Sequence, residues 1–115
     1  MRKELVKKVS VFLLLAIMFV FAGNAEAGVI MIRNATGFTL MEIYISDSGT
    51  EDWEEDVLGM EVLEDGETLR LTVSGSYSHF DMAAVDDEGD AVGWYGLPGN
   101  VTQITIYGDG SAEYR

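Results

Sequence analysis

The chain has no cysteine, one proline and one histidine. Without cysteine it forms no disulfide and has no thiolate nucleophile, so packing, with or without a bound ion, must hold its core. From Gly28 onward it also has no lysine, which excludes Schiff-base chemistry there. The histidine, His79, precedes Phe80 in a predicted strand whose apolar face turns inward. We therefore expect His79 to be a solvated surface residue and the protein not to be an enzyme.

Two hydrolase arrangements stay open on composition. Serines and acids are plentiful enough for a Ser–His–acid set, but no serine stands in a G-x-S-x-G context. A pair of carboxylates working as in glycosidases is the least favoured alternative. With this many acids, some pair lies close by chance, so the pattern carries little specificity.

Residues 1–27 have the layout of a secretory signal peptide. A basic start is followed by an apolar run over residues 11–22 and by an A-x-A cleavage site at residues 25–27. The apolar run is shorter than the ~20 residues that a membrane-spanning helix needs. We therefore predict cleavage, a mature domain of residues 28–115 without stable membrane insertion, and a secreted or periplasmic location. An uncleaved membrane anchor is the alternative.

Removing that segment removes every lysine and leaves most of the acids. Of the 20 Asp and Glu residues, Glu4 and Glu26 precede Gly28, which leaves 18. Of the 7 Lys and Arg residues, four precede it, which leaves 3 arginines and a net charge of −15. Nucleic acid and anionic membrane are poor partners for such a surface, because both need basic patches. We expect a basic protein or peptide as partner.

Short runs of alternating apolar and polar residues, separated by glycines and acids, predict an all-β domain. Turns fall about every 8–12 residues, which favours an antiparallel β-sandwich of about seven or eight short strands. A small barrel is the alternative architecture. Residues 51–58 favour a loop or one helical turn. We predict strands at residues 29–33, 38–46, 60–63, 68–73, 77–85, 91–95 and 101–107.

The alternation within these strands predicts which side chains face the core. In the second strand, Met41, Ile43 and Ile45 share one face, and Glu42 and Tyr44 share the other. The later strands turn a further apolar set inward. Its members are Leu69, Leu71, Val73, Phe80, Met82, Ala84, Ile104 and Ile106.

A first acidic cluster surrounds Trp53 in a long loop. Carboxylates in a flexible loop suit Ca²⁺, which takes about 6–8 oxygen ligands. The competing interpretation places Trp53 at the end of the sandwich with the acids as its solvated rim. Separately, Trp53, Glu54 and Glu55 are the candidate partner-binding residues of this loop. The candidate Ca²⁺ ligands of this cluster are Asp47, Asp52 and Asp56.

A second acidic cluster occupies residues 86–90, where a D-x-x-G-D pattern joins two strands. Asp86, Asp87 and Asp90 are its candidate Ca²⁺ ligands. The cluster is not an EF-hand, because the ligand spacing and the closing glutamate of that loop are missing. Asp and Gly are also good turn formers without any ion. If both clusters lie at the same end of the sandwich, they share one ion.

Aromatic residues offer a further candidate surface. Trp94 and Tyr95 follow Gly93, and Tyr44 lies on the polar face of the second strand. A flat aromatic strip binds sugars or peptides, and the alternative is packing within the core or at a sheet edge.

Several motifs resemble a family of small exported bacterial β-domain proteins of unknown function. The matching motifs are the N-x-T-G turn at residues 34–37, the Y-x-S strand end at 44–46, the W-x-x-D-x-L-G loop at 53–59, the L-x-x-G-x turn at 63–67 and the D-x-x-G turn at 86–89. The resemblance covers most of residues 28–115. Because these are turn and packing residues, it implies a shared β fold and no activity.

Together these observations predict a non-enzymatic, exported, acidic β-sandwich that binds a cationic partner. The alternative is a Ca²⁺-binding or Ca²⁺-stabilised domain that uses the two acidic loops, and Ca²⁺ is the one cofactor considered.

Overall fold

The computed structural model describes residues 28–73 and 77–115, so the predicted signal peptide lies outside the described residues. Seven β-strands form within these two ranges, with no helix among them, and the predicted all-β class is confirmed. Nothing in the same ranges makes a helix long and apolar enough to cross a membrane. The strands are β1 Gly28–Ala35, β2 Leu40–Asp47, β3 Thr68–Val73, β4 His79–Asp86, β5 Ala91–Pro98, β6 Gln103–Tyr107 and β7 Ala112–Tyr114.

The strands form two sheets, which confirms the predicted sandwich. A four-stranded sheet has the order β3-β1-β6-β7, and a three-stranded sheet has the order β2-β4-β5. One pair departs from the predicted antiparallel arrangement: β1 and β6 run parallel, with Met31 opposite Gln103. After β1 the chain crosses to the other sheet for β2, returns to place β3 on one side of β1, and crosses again for β4 and β5. It then enters on the other side of β1 as β6, in the same direction as β1.

The core lies between the two sheets and is built from the predicted inward side chains. Phe80, Met82 and Ala84 of β4 are buried there with Ile104 and Ile106 of β6. The three predicted apolar residues of β3 are partly buried and pack against the same cluster. Burial of this apolar set is the main stabilising contribution to the fold.

Met41 departs from its predicted position in the core. The pairing of β2 with β4 shifts register between Leu40 and Glu42. This irregularity inserts one residue into the alternation, so Leu40 is buried and Met41 is 41% exposed. Ile43 and Ile45 remain buried as predicted.

The segment predicted as a strand at residues 60–63 is not one. It makes a single bridge, in which Leu63 and Leu40 exchange two N–H···O bonds of 2.9 Å. The preceding residues form no helical turn either, because Asp56 bridges Tyr44 and the Val57 amide donates to the Ile43 carbonyl. Residues 56–63 therefore follow the free edge of β2 irregularly, which shields that edge from other strands.

Asn34 fixes the turn that follows β1. Its Nδ2 donates to the carbonyls of Phe38 (2.8 Å) and Leu63 (2.9 Å), and its Oδ1 accepts from the Thr36 amide and hydroxyl. The side chain is fully buried, and this network satisfies both of its polar atoms. The predicted turn thus also ties residues 56–63 to the four-stranded sheet.

Candidate functional site

The outer face of the three-stranded sheet contains a recess. Tyr44, Ala83 and Gly93 lie side by side on β2, β4 and β5. The side chains shrink across this row, from an aromatic ring to a methyl group to a hydrogen atom. Trp53 fills the resulting space, where it packs with Tyr44 and Ala83 and is 7% exposed.

Tyr95 extends the aromatic contacts to the surface. The Trp53 ring centroid lies 6.2 Å from that of Tyr44 and 6.1 Å from that of Tyr95. A Cβ atom at Gly93 would lie 2.7 Å from the Tyr95 hydroxyl, so the Tyr95 side chain lies back over the glycine. Tyr44 and Trp53 are buried, whereas Tyr95 is 55% exposed. The three aromatic rings are therefore buried at the Tyr44 end and open to solvent at Tyr95.

Trp53 does not plug the end of the sandwich, as one interpretation of the sequence predicted. The loop that carries it folds back over the outer face of a sheet instead, because the row of small side chains accommodates the indole there. Glu54 and Glu55, the other two predicted partner-binding residues, are exposed, as are Glu51 and Asp52. The buried Trp53 therefore fixes the backbone from which these carboxylates project.

Asp81 links the start of this loop to β5, and sequence reasoning missed it. The β4–β5 pairing shifts register between Phe80 and Met82, opposite an excess residue on β5. At this bulge the Asp81 carboxylate accepts hydrogen bonds from the Gly96 amide (2.8 Å) and the Ser48 hydroxyl (2.5 Å). Among the described acidic residues Asp81 is the buried one, so no pair of buried carboxylates forms in this part of the chain.

Asp56 holds the far side of the loop against β2. Its Oδ1 accepts from the Ile43 amide at 2.9 Å and from the Leu58 amide at 3.0 Å. Nearby, the Tyr44 hydroxyl donates to Glu42 at 2.6 Å. Burial, followed by the bond to Glu42 and the charge of Asp56, raises the pKa of Tyr44 well above its ordinary value of 10.0.

The six predicted Ca²⁺ ligands are not brought together. Asp47 pairs with Phe80 and Asp86 pairs with Leu40, at opposite ends of the β2–β4 ladder, so the clusters do not share an ion. The Asp86 carboxylate accepts the amides of Glu88 and Asp90, both at 2.9 Å, which is a turn-forming role. Asp87 and Asp90 are exposed. Across residues 28–73 and 77–115, no three His, Cys, Asp or Glu side chains are grouped to hold a metal ion.

The remaining sequence candidates occupy separate places. Trp94 is partly buried and donates its Nε1–H to the Gly110 carbonyl at 3.1 Å, which joins β5 to the β6–β7 turn. Trp94 therefore follows the packing alternative and does not extend an exposed aromatic strip with Tyr95. His79 is exposed at the start of β4, as predicted.

The outer face of the four-stranded sheet carries the arginines, which sequence reasoning did not group. Arg33, Arg70 and Arg115 are exposed, at positions that alternate with the inward residues of β1 and β3 or follow β7. The Arg115 guanidinium donates to Gln103 Oε1 through Nε (2.9 Å) and Nη2 (2.7 Å). Glu113 is the acid among the outward-facing strand residues of this sheet. Alternation within β1 and β3 indicates that Arg33 and Arg70 point outward, but the strand order is what brings the arginines to one face.

Comparison with known proteins adds a structural neighbour. No protein-family model matches the chain, and no curated protein matches it. An NMR structure of a protein from Eubacterium rectale is similar, with a TM-score of 0.54 and 19% sequence identity over 78% of this chain and 87% of that one. At this identity the likeness shows a shared fold alone. The resemblance to the exported family stays a prediction.

Proposed function

We propose that this domain is a non-enzymatic interaction module that binds arginine-bearing protein segments. The binding site is the acidic loop surface, defined as the exposed side chains of Glu51, Asp52, Glu54, Glu55 and Tyr95. The observation that carries the proposal is an exposed aromatic ring beside a loop of exposed carboxylates, fixed from beneath by the buried Trp53.

The chemistry of this surface suits a guanidinium group better than an ammonium group. Carboxylates accept the two parallel N–H bonds of the arginine fork, and an aromatic face attracts the planar cation. The lysine ammonium group is a compact point charge and does not match the bidentate geometry of a carboxylate as the planar guanidinium group does. We therefore expect a preference for arginine over lysine in the partner.

The anchoring of the loop favours binding. Trp53, Asp56 and Asp81 hold the backbone on both sides of the exposed acids. A surface that is ordered before it meets its partner loses less conformational entropy on association. The predicted signal peptide supports a secreted or periplasmic place of action, which N-terminal sequencing of the exported protein tests by a start at Gly28.

The experiment measures binding of a synthetic arginine-rich peptide, and of its lysine counterpart, by calorimetry at several salt concentrations. We expect the arginine peptide to bind several-fold more tightly, with affinity that falls as salt rises. The variant Glu51→Gln/Glu54→Gln/Glu55→Gln should lose most of this affinity. Tyr95→Ala should lose the arginine preference while keeping a weaker attraction to both peptides.

The matched control is Asp87→Asn/Glu88→Gln/Asp90→Asn, which removes the same amount of charge from the other acidic turn. It should bind the arginine peptide almost as the unaltered protein does. Equal losses in the two triple variants would show attraction by bulk charge alone, and the proposed site would then be rejected.

A further inference from the structure

The outer face of the four-stranded sheet differs in charge from the rest of the domain. The described residues carry 18 acids and 3 arginines, and all three arginines project from this one face, beside Glu113. Side chains on this face therefore sum to a positive charge within a strongly negative protein. The screening length is about 8–10 Å at moderate salt. A charged group close to this face therefore interacts more strongly with the arginines than with the acids of the opposite face.

Strand register fixes the arrangement of the arginines. Arg70, Met31, Gln103 and Arg115 follow one another in a row across β3, β1, β6 and the end of β7. Strands lie about 4.8 Å apart, so about 14 Å separates the two ends of the row. Arg33 lies two residues along β1 from Met31, diagonal to Arg70. The three guanidinium groups thus spread over a flat face, with the half-buried Met31 between them.

We propose that this arginine face is the docking surface for the acidic loop surface of a second copy of this chain. The inference rests on the proposed function, since it names the arginine-bearing partner. Charge complementarity supports a second copy: the loop presents exposed carboxylates and Tyr95, and the opposite face of the same molecule presents the guanidinium groups that suit them.

The two surfaces lie on opposite outer faces of the sandwich, so the contact is head-to-tail. A heterologous contact leaves one unused surface at each end, and association continues into chains of copies unless the rotation closes a ring. The net charge of −15 adds repulsion between whole molecules at low salt. Moderate salt screens that long-range repulsion more than the close contacts, and high salt weakens the contacts too. Association should therefore be strongest at intermediate salt.

The experiment uses sedimentation of the exported protein from micromolar to millimolar concentration, with two half-variants. The arginine-face variant is Arg33→Gln/Arg70→Gln/Arg115→Gln, and the loop variant is Glu51→Gln/Glu54→Gln/Glu55→Gln. The unaltered protein should form species larger than a dimer. Each half-variant alone should stay monomeric, because it lacks one of the two surfaces. An equimolar mixture should form a one-to-one dimer that grows no further.

Three outcomes would overturn the inference: a monomeric unaltered protein at all salt concentrations, a dimer that either half-variant still forms alone, or a mixture of half-variants that stays monomeric. Thermal melts of each variant first establish that both are folded. Peptide binding separates the two proposals. If the arginine peptide binds the loop while the protein stays monomeric, the self-association is rejected and the proposed function stands.

Discussion

The outer face of the three-stranded sheet is covered by the chain's own loop, whereas that of the four-stranded sheet is open and carries the arginines. The sizes of the outward-facing side chains explain why one face is covered and the other is not. The row of Tyr44, Ala83 and Gly93 leaves a recess that Trp53 fills. On the other sheet the row of Arg70, Met31, Gln103 and Arg115 consists of long side chains from end to end.

The comparison also separates two uses of charge. On the covered face the acids of the loop are held by a buried tryptophan and by carboxylates that accept backbone amides. On the open face the charges come directly from the strands, and the sheet itself sets their spacing. The acidic loop surface therefore depends on the loop being held against its sheet, whereas the arginine face is present whenever the four-stranded sheet is folded.

Removing the indole that fills the recess should have the largest effect on stability. Trp53→Ala should lower the free energy of unfolding by about 3–5 kcal/mol, because it leaves Tyr44 and Ala83 over a cavity. Urea denaturation monitored by circular dichroism measures this change. Arg33→Ala, on the open face, should change the same quantity by no more than about 0.5 kcal/mol. Similar losses in the two variants would contradict the difference between the faces.

The carboxylate that anchors the loop should have the next largest effect. Asp56→Ala leaves the Ile43 and Leu58 amides without their acceptor and should cost about 1–3 kcal/mol. Asp56→Asn keeps an oxygen at the same position and should restore most of that loss. The pair of variants is compared by chemical denaturation, and an equal loss in both would show that charge rather than hydrogen bonding is responsible.

Alkaline pH should act on the covered face through Tyr44. Its pKa is raised in the folded state, so the neutral hydroxyl stabilises the fold fully below the ordinary pKa of 10.0. Above that pH the unfolded chain loses its proton first. Stability is therefore lost as pH rises toward the folded pKa, by up to about 1.4 kcal/mol per pH unit. Denaturation at a series of pH values should show a shallower loss in Tyr44→Phe.

Tyr107→Phe is the matched control on the open face. The pKa of Tyr107 is raised mainly by its hydrogen bond to Glu113 at an exposed position, so removing its hydroxyl should barely change the alkaline slope. Tyr77 should contribute to the alkaline loss of stability in every variant, because burial and the charges of Glu54 and Asp47 raise its pKa. A slope altered equally by Tyr44→Phe and Tyr107→Phe would show that burial under the loop is not its cause.

The smallest expected effect is that of Ca²⁺. Since Asp56 and Asp86 accept backbone amides and the two clusters lie apart, Ca²⁺ and Mg²⁺ at equal concentration should raise Tm by the same small amount through screening. Differential scanning calorimetry with each ion, and with chelator, tests this expectation. A site filled to 100 times its Kd would add about 2.7 kcal/mol, so a clear excess shift with Ca²⁺ would restore the predicted calcium site.

Much of the fold could be predicted from local patterns. The alternation of Leu69, Leu71 and Val73 set both the bounds of β3 and its inward face, and the same pattern placed Phe80 and Met82 in the core. Alternation works here because one face of each sheet is buried against the other sheet. It failed at Met41, where an irregular register adds a residue that no local pattern signals. The short β7 was missed because three residues carry too little periodicity.

The candidate site was less predictable, because it depends on residues that meet only in the fold. Glu54 and Glu55 were found from their charge. The position of Trp53, however, depends on Ala83 and Gly93, which are distant from it in sequence and have no functional group that marks them. The arginine face depends on strand order, which brings β3 and β7 into the sheet of β1 and β6. Neither pairing can be read from spacing along the chain.

The parallel pairing of β1 with β6 has a consequence for how the domain forms. Met31 can pair with Gln103 only after almost the whole described chain has been synthesised. The other neighbour of β1, β3, is nearer to it in sequence and is available earlier. Closing so large a loop is slow compared with forming a hairpin. A chain cut short before β6 would leave one side of β1 unpaired, with Ile30 and Ile32 incompletely covered. The domain therefore completes its fold only after its last strands have been synthesised.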